Sequence, residues 1–145
     1  AAMPDATTYR KAIPERKRSL HTGRGKVAPF IGIPRRVLDS PEFGGLSGNA
    51  VKLAVELARQ FRGRNNGDFS CPWSVLRLRG GRSPGTLARA KKELIDTGFA
   101  IVTRQGGRHQ CSLFALSWWA VDDCNGKHDE RATIAPPDLW MRRNG

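Results

Sequence analysis

The stretch Gly80-Gly81-Arg82-Ser83-Pro84-Gly85-Thr86-Leu87, running on through Glu93-Leu94-Ile95-Asp96-Thr97-Gly98-Phe99, marks both ends of a helix. Ser83 suits an N-cap because its hydroxyl can take up a free backbone N–H of the first turn. Pro84 suits the first helical position, where its missing N–H costs nothing. Gly98 suits the left-handed residue that closes a helix. The expected helix is therefore Pro84 to Thr97. At about 100° per residue, Leu87, Ala90, Leu94 and Ile95 gather on one side, which must face a core. Arg89 points nearly opposite, flanked by Gly85, Thr86, Lys92 and Glu93, with Arg82 and Ser83 at the N-terminal end.

Working upstream, Pro72 opens a short helix carrying Trp73, Val75, Leu76 and Leu78, and Gly80-Gly81 stops it. Asp68 to Cys71 reads as a very short strand. Arg62-Gly63-Arg64-Asn65-Asn66-Gly67 reads as a turn. Ser47 caps a helix to about Phe61, whose apolar stripe is Ala50, Leu53, Ala54, Leu57, Ala58 and Phe61. Lys52, Glu56 and Arg59 fall on its wet side. A short helix from Arg35 to Ser40 follows Pro34, and Pro41 is expected to end it. Downstream, Phe99 to Arg104 is a β-branched and aromatic run, Gln105-Gly106-Gly107-Arg108 a turn, and His109 to Trp118 a returning strand. Alternation puts Cys111, Leu113 and Ala115 on one face of that strand.

Charge is the strongest bulk property. The 145 residues carry a formal net charge of +12. Residues 1–29 hold seven Lys/Arg against two acids, residues 30–121 fourteen against six, and residues 122–145 four against five. Most of the excess thus lies in the segment that carries folding patterns, which points to a polyanion-binding surface rather than a solvated tail. Residues 1–28 read as a flexible basic arm in which Arg16, Lys17 and Arg18 suit phosphate contact. Residues 29–121 form the expected domain. Residues 122–145 form an extension that packs on the domain or a partner, through Trp119 and Val121 just before it and Leu139 and Trp140 within it.

The order of elements is helix, short strand, short helix, glycine turn, capped helix, hairpin. That is the order of an α+β winged helix-turn-helix, with three to four helices and a small antiparallel sheet whose β-hairpin is the wing. In a helix-turn-helix the second helix enters the DNA major groove. On this reading residues 72–97 are the helix-turn-helix and 99–117 the wing. Arg82, Ser83, Gly85, Thr86, Arg89 and Lys92 line the reading face. There Arg can pair with guanine, Thr can touch a base, and Lys can hold phosphate. Arg104 and Arg108 are the wing contacts. The run from Gly80 to Phe99 resembles winged-helix regulators, in which a Ser/Thr-rich helix start leads to Leu-x-x-x-Gly-Phe/Leu before the wing. The wider stretch from Phe30 to about Trp140 resembles small helix-turn-helix proteins of proteobacterial mobile elements. It does so at Leu46-Ser47, Gly63-Arg64-Asn65-Asn66-Gly67, Phe114-Ala115-Leu116-Ser117-Trp118 and Cys124-Asn125-Gly126-Lys127-His128-Asp129. The resemblance implies sequence-specific binding of double-stranded DNA, as a transcription regulator or as a plasmid or phage replication initiator. It implies no cofactor. A homodimer is compatible with it.

Other classes are less well served. No P-loop, Gly-x-Ser-x-Gly turn or His-Glu-x-x-His run suggests an enzyme. His109, Cys111, Cys124 and His128 have the chemistry of a tetrahedral zinc set, but no Cys-x-x-Cys knuckle accompanies them. The plainer expectation is a buried Cys111 and exposed histidines, with no metal. The odd count of Cys71, Cys111 and Cys124 argues against a disulfide framework. RNA binding would need exposed aromatics for base stacking, whereas the aromatics here sit in apolar patterns or beside prolines. A winged helix serving only protein–protein contact is the remaining alternative. No apolar run approaches the roughly 18 residues that span a bilayer, and Ala1-Ala2-Met3-Pro4-Asp5 has no apolar signal region. A cytoplasmic location is expected, without membrane contact.

Overall fold

The structure, a computed structural model, describes residues 29–142; the arm of residues 1–28, with Arg16, Lys17 and Arg18, lies outside the described residues. The chain divides between Gly32 and Ile33. Residues 29–32 are exposed. From Ile33 onward the fold is α+β: α1 (Arg35–Leu38), α2 (Pro41–Gly44), α3 (Gly48–Ala58), α4 (Trp73–Leu76), α5 (Pro84–Thr97), β1 (Ala100–Arg104), β2 (Leu113–Leu116) and α6 (Leu139–Arg142). A 3-10 turn, Arg77–Arg79, prolongs α4, and another spans Cys124–Gly126. Among the described residues no helix is long and apolar enough to cross a membrane.

The three helices that build the core start and stop for local reasons. Ser47 caps α3 by accepting from Ala50 N at 3.1 Å, and Ser83 caps α5 by accepting from Thr86 N at 3.1 Å. Gly98, at φ 88°, closes α5 in the left-handed region. A Cβ there would also lie 2.7 Å from the Leu139 carbonyl carbon and Trp140 nitrogen, so only glycine lets α6 approach. The turn between α4 and α5 uses Gly80 at φ 82°, followed by Gly81, where a Cβ would stand 2.7 Å from the Leu76 oxygen. Three expectations need adjusting. Pro41 begins a helix instead of ending one, because Ser40 caps it by accepting from Phe43 N and proline fits the first turn. The ladder of α3 ends at Ala58, beyond which Gln60 N and Phe61 N bond to carbonyls three residues back. Asp68–Cys71 contributes a single bridge, Phe69 to Phe114, rather than a strand.

Leu53, Leu57, Leu76, Ala90, Leu94, Phe99, Leu116 and Trp118 are buried in one core between α3, α4, α5 and the sheet. Leu87 and Ile95 are half-buried against it. β1 and β2 pair antiparallel, Ala100 with Leu116 and Val102 with Phe114, and a bulge at Thr103 shifts the register so that Arg104 meets Leu113. The returning strand is shorter than expected, and both of its faces are covered: all four residues of β2 are buried. Phe114 and Leu116 join the main core, while Leu113 and Ala115 are buried outside it. Cys111 lies before the strand and is exposed.

Residues 117–142 fold back onto this unit. Asp129 N donates to Thr103 O at 2.9 Å, and Asp138 N donates to Ser117 O at 2.8 Å. Arg36 bonds both Trp118 O and Asp138 Oδ1 at 3.0 Å. Trp140 is buried and stacks on Phe99 with centroids 5.5 Å apart. The side chain of Asn66, fully buried in what reads as an ordinary turn, donates to the carbonyls of Leu116, Trp119 and Ala120 and accepts from Leu116 N.

Two substitutions probe this packing. Leu94 is fully buried. Leu94→Ala should cost about 2–5 kcal/mol, as truncated core leucines do, and lower the thermal midpoint clearly. Asn66→Leu keeps the volume but strips one N–H and three carbonyls of their partner. The expected loss is on the order of 3 kcal/mol, read by urea unfolding. A variant as stable as the parent would show that water replaces the amide.

Candidate nucleic-acid interface

The solvent face of α5 begins at its cap. Ser83 is extended, at φ −163° and ψ 159°, which turns its hydroxyl onto the first turn. That oxygen lies 2.9 Å from Thr86 Oγ1, and Arg89 Nη2 reaches the same Thr86 oxygen at 3.3 Å. Gly85 is exposed beside them, and a Cβ there would sit 3.4 Å from Arg89 Nη1. Arg89 thus lies over a gap that glycine leaves open. Ser83, Thr86 and Arg89 form one hydrogen-bonded row, with Arg89 exposed. The opposite side of α5 is held by Ala90 and Leu94 in the core, so the row cannot rotate away from solvent.

The flanking charges sort into two groups. Arg82 is exposed and has no acidic partner among the described residues; the same holds for Arg77, whose Nε points at Ser74 O, 3.4 Å away. Lys92, by contrast, pairs with Asp96 one turn on, both side chains being more than half exposed. Such pairs contribute little to stability and leave the ammonium free to exchange partners. Glu93 is not part of the exposed row. Its carboxylate accepts from Ser47 N and Ser47 Oγ, the latter at 2.7 Å, and so caps α3 from the neighbouring helix. The acid is drawn there by the free N–H groups and positive end of α3.

The hairpin holds two different arginines. Arg108 and His109 form its tip, both exposed, with Gly107 N donating to Gln110 O at 3.0 Å. The tip is thus one residue pair later than Gly106-Gly107. Arg104 is half-buried at the base. Its Nη2 donates to Cys111 O at 2.9 Å, and its Nη1 lies 3.4 Å from Lys127 O. Arg104 therefore ties the hairpin to the returning chain, and only Arg108 is presented outward.

The four residues with zinc-like chemistry are not gathered. His109 and Cys111 are exposed, Cys124 is half-buried, and His128 is buried with both ring nitrogens engaged, Nε2 at 2.7 Å from Asp122 O and Nδ1 accepting from Glu130 N. Among the described residues no group of three or more His, Cys, Asp or Glu side chains is placed to hold a metal ion. The expectation of a buried Cys111 and exposed histidines fails at Cys111, which lies ahead of β2, and at His128, which the chain after Ser117 carries back over Gly67. Cys71 is the buried thiol. Desolvation pushes its pKa up to about 11, so it stays protonated at neutral pH.

Sequence reading missed three contributors. Glu56 lies on the side of α3 read as wet, yet it is buried and takes Arg79 Nε at 2.7 Å. Nothing in the helical pattern marks it, since its cover comes from the turn after α4. Arg77 had a visible signal, the Arg-x-Arg before Gly-Gly, as did Lys52 on its exposed helical face.

The cap can be tested apart from any ligand. Ser83→Ala removes the acceptor for Thr86 N and should cost about 1 kcal/mol, seen as a small fall in the melting midpoint. Ser83→Asp should restore most of it.

Compared with protein-family models, with curated proteins and with solved structures, the chain finds no match in any of the three.

Proposed function

We propose that this chain binds double-stranded DNA sequence-specifically, as a winged helix-turn-helix protein with α4 and α5 as the helix-turn-helix and the β1–β2 hairpin as the wing. The observation that carries the reading is the Ser83–Thr86–Arg89 row on the solvent face of α5, fixed from behind by Ala90 and Leu94. A reading helix needs that arrangement: a bidentate donor for guanine, a short hydroxyl beside it, and a backbone that can come close, here at Gly85. The helix N-terminus adds attraction for phosphate. Arg77, Arg82 and Arg108 supply exposed positive charge without acidic partners among the described residues. The single bridge from Phe69 to Phe114 lays the chain ahead of α4 along the hairpin, which is compatible with this reading.

Selection of bound sequences from random duplex DNA is the direct test. A recovered motif supports the reading; a palindrome indicates a dimeric regulator, and direct repeats an origin-binding initiator. Recovery of no motif, with binding equal for all duplexes, would remove sequence specificity. On the selected site Arg89→Ala should weaken binding by about 1–3 kcal/mol and relax preference at one base pair. Arg108→Ala should instead weaken all duplexes alike. It should also reduce the slope of log K against log salt by about 0.9, the value of one released phosphate contact. Removing residues 1–28 should flatten that slope further, because the segment holds seven cationic side chains.

A further inference from the structure

Under the turn that joins α4 to α5 lies a groove with an apolar floor and a cationic rim. Leu53 of α3, Leu76 of α4 and Leu87 of α5 floor it, and Trp73 walls one side. Gly80 and Gly81 bring no side chain over its end, and it lies open to solvent. Three cations and one acid border it: Lys52, Arg79, Arg82 and Glu56. Glu56 is committed to Arg79 at 2.7 Å, which cancels one cation. Lys52 and Arg82 have no acidic partner among the described residues, and the Lys52 ammonium stands 3.5 Å from where a Gly80 Cβ would be. The groove therefore has an uncompensated charge of two beside an apolar slot.

We propose that this groove is a binding site for a small amphipathic carboxylate, with a flat apolar body on Leu53, Leu87 and the Trp73 ring and its carboxylate between Lys52 and Arg82. The charge selects the class. A neutral apolar ligand would leave the two cations unanswered, and a dianionic phosphate would find almost no polar surface on the floor to replace its water. The occupant touches both helices at the Gly80–Gly81 turn that sets their angle, and it neutralises Arg82 beside the exposed row of α5. Its second consequence rests on the DNA-binding reading: the ligand weakens DNA binding, and DNA weakens ligand binding by the same factor.

Indole-3-acetate is the probe, with indole-3-acetamide as its neutral counterpart, titrated into the full chain without DNA. Amide resonances of Gly80 and Gly81 and the indole N–H of Trp73 should shift saturably at submillimolar to millimolar probe, and the acetamide should bind at least threefold more weakly. Lys52→Gln and Arg82→Gln each change an exposed side chain, so both variants should fold as the parent does. Each should weaken the acetate up to about fivefold, the ceiling for one exposed ion pair, and leave the acetamide unchanged. Absence of shifts at these amides up to about 10 mM, roughly tenfold above the weakest affinity expected, would sink the site. Equal binding of acetate and acetamide would sink the carboxylate subsite. These readouts need no DNA. A chain that takes the probe but no duplex would refute the proposed function while the groove stands, and a chain that reads DNA but ignores the probe would do the reverse.

Discussion

The buried carboxamide of Asn66 is the constraint from which the rest of the domain follows. Its oxygen takes Leu116 N, and its nitrogen serves the carbonyls of Leu116, Trp119 and Ala120. Its backbone adds a reciprocal pair with Asp122: Asn66 N donates to Asp122 Oδ2, and Asp122 N donates to Asn66 O. One side chain thus stands in for a missing strand at the edge of β2, where the sheet would otherwise leave buried polar groups unpaired. Each such group costs about 1–3 kcal/mol when unmade. Because the bonds run to positions fifty or more residues away, they close the chain after α3 onto the chain after β2.

Once that closure is made, the remaining elements have little freedom. Thr103, displaced by the bulge in β1, hands its hydroxyl to Gly67 O at 2.6 Å, next to Asn66, and its own carbonyl receives Asp129 N. Ser117 donates its hydroxyl to Gly98 O at 2.6 Å, tying the end of α5 to the end of β2. Phe99, packed between Phe43, Trp118 and Trp140, fills the space left beneath. The C-terminus of α5 is therefore held by glycine geometry, a buried hydroxyl and three rings, while its N-terminus is left with one cap and solvent. A helix anchored in this way presents its first two turns rigidly without needing a partner to hold them.

The elements that sequence made legible are those whose signals are local. The Ser83-Pro84 start and the Gly98 end of α5 lie within two residues of what they control, and the Leu87-Ala90-Leu94-Ile95 stripe is read from spacing alone. The elements that were not legible depend on what arrives from elsewhere. β2 is buried on both faces, Phe114 and Leu116 in the main core and Leu113 and Ala115 outside it, because later chain covers the second face. Glu56 is buried because Arg79 and the turn after α4 close over it. Cys111 is exposed because β2 begins only at Leu113. Asn66 looks like any turn residue beside Asn65, whose own amide does the ordinary local work of bonding Arg62 N and Gln60 O. Of the candidate contact residues, Ser83, Gly85, Thr86 and Arg89 come together as the spacing implies. Glu93 leaves the exposed row, because the N–H and hydroxyl of Ser47, the cap of α3, compete for it across a distance that no local pattern records.

The division among the arginines shows why net charge alone does not say which cations stand exposed and which serve the fold. Arg36, Arg79 and Arg104 each answer a need of the fold: Arg36 a carbonyl and a carboxylate near α6, Arg79 the buried Glu56, Arg104 two carbonyls at the hairpin base. Arg104 is the most informative of them. Its Nε is buried without a partner, so this cation accepts a desolvation cost that a pure phosphate contact would avoid. Its return is mechanical: by bonding Cys111 O it joins the two arms of the hairpin beyond the bulge, where the ladder has lost its regular pairing. Beyond Leu113, where the two-stranded sheet ends, Arg104 joins Gly106 N bonded to Ser112 Oγ and Gly107 N bonded to Gln110 O in holding the two arms together. A charge-preserving change to lysine could not reproduce this, because a single ammonium lacks the planar fork that spans two carbonyls. The hairpin is thus braced at its base by one arginine, while another stands exposed at its tip.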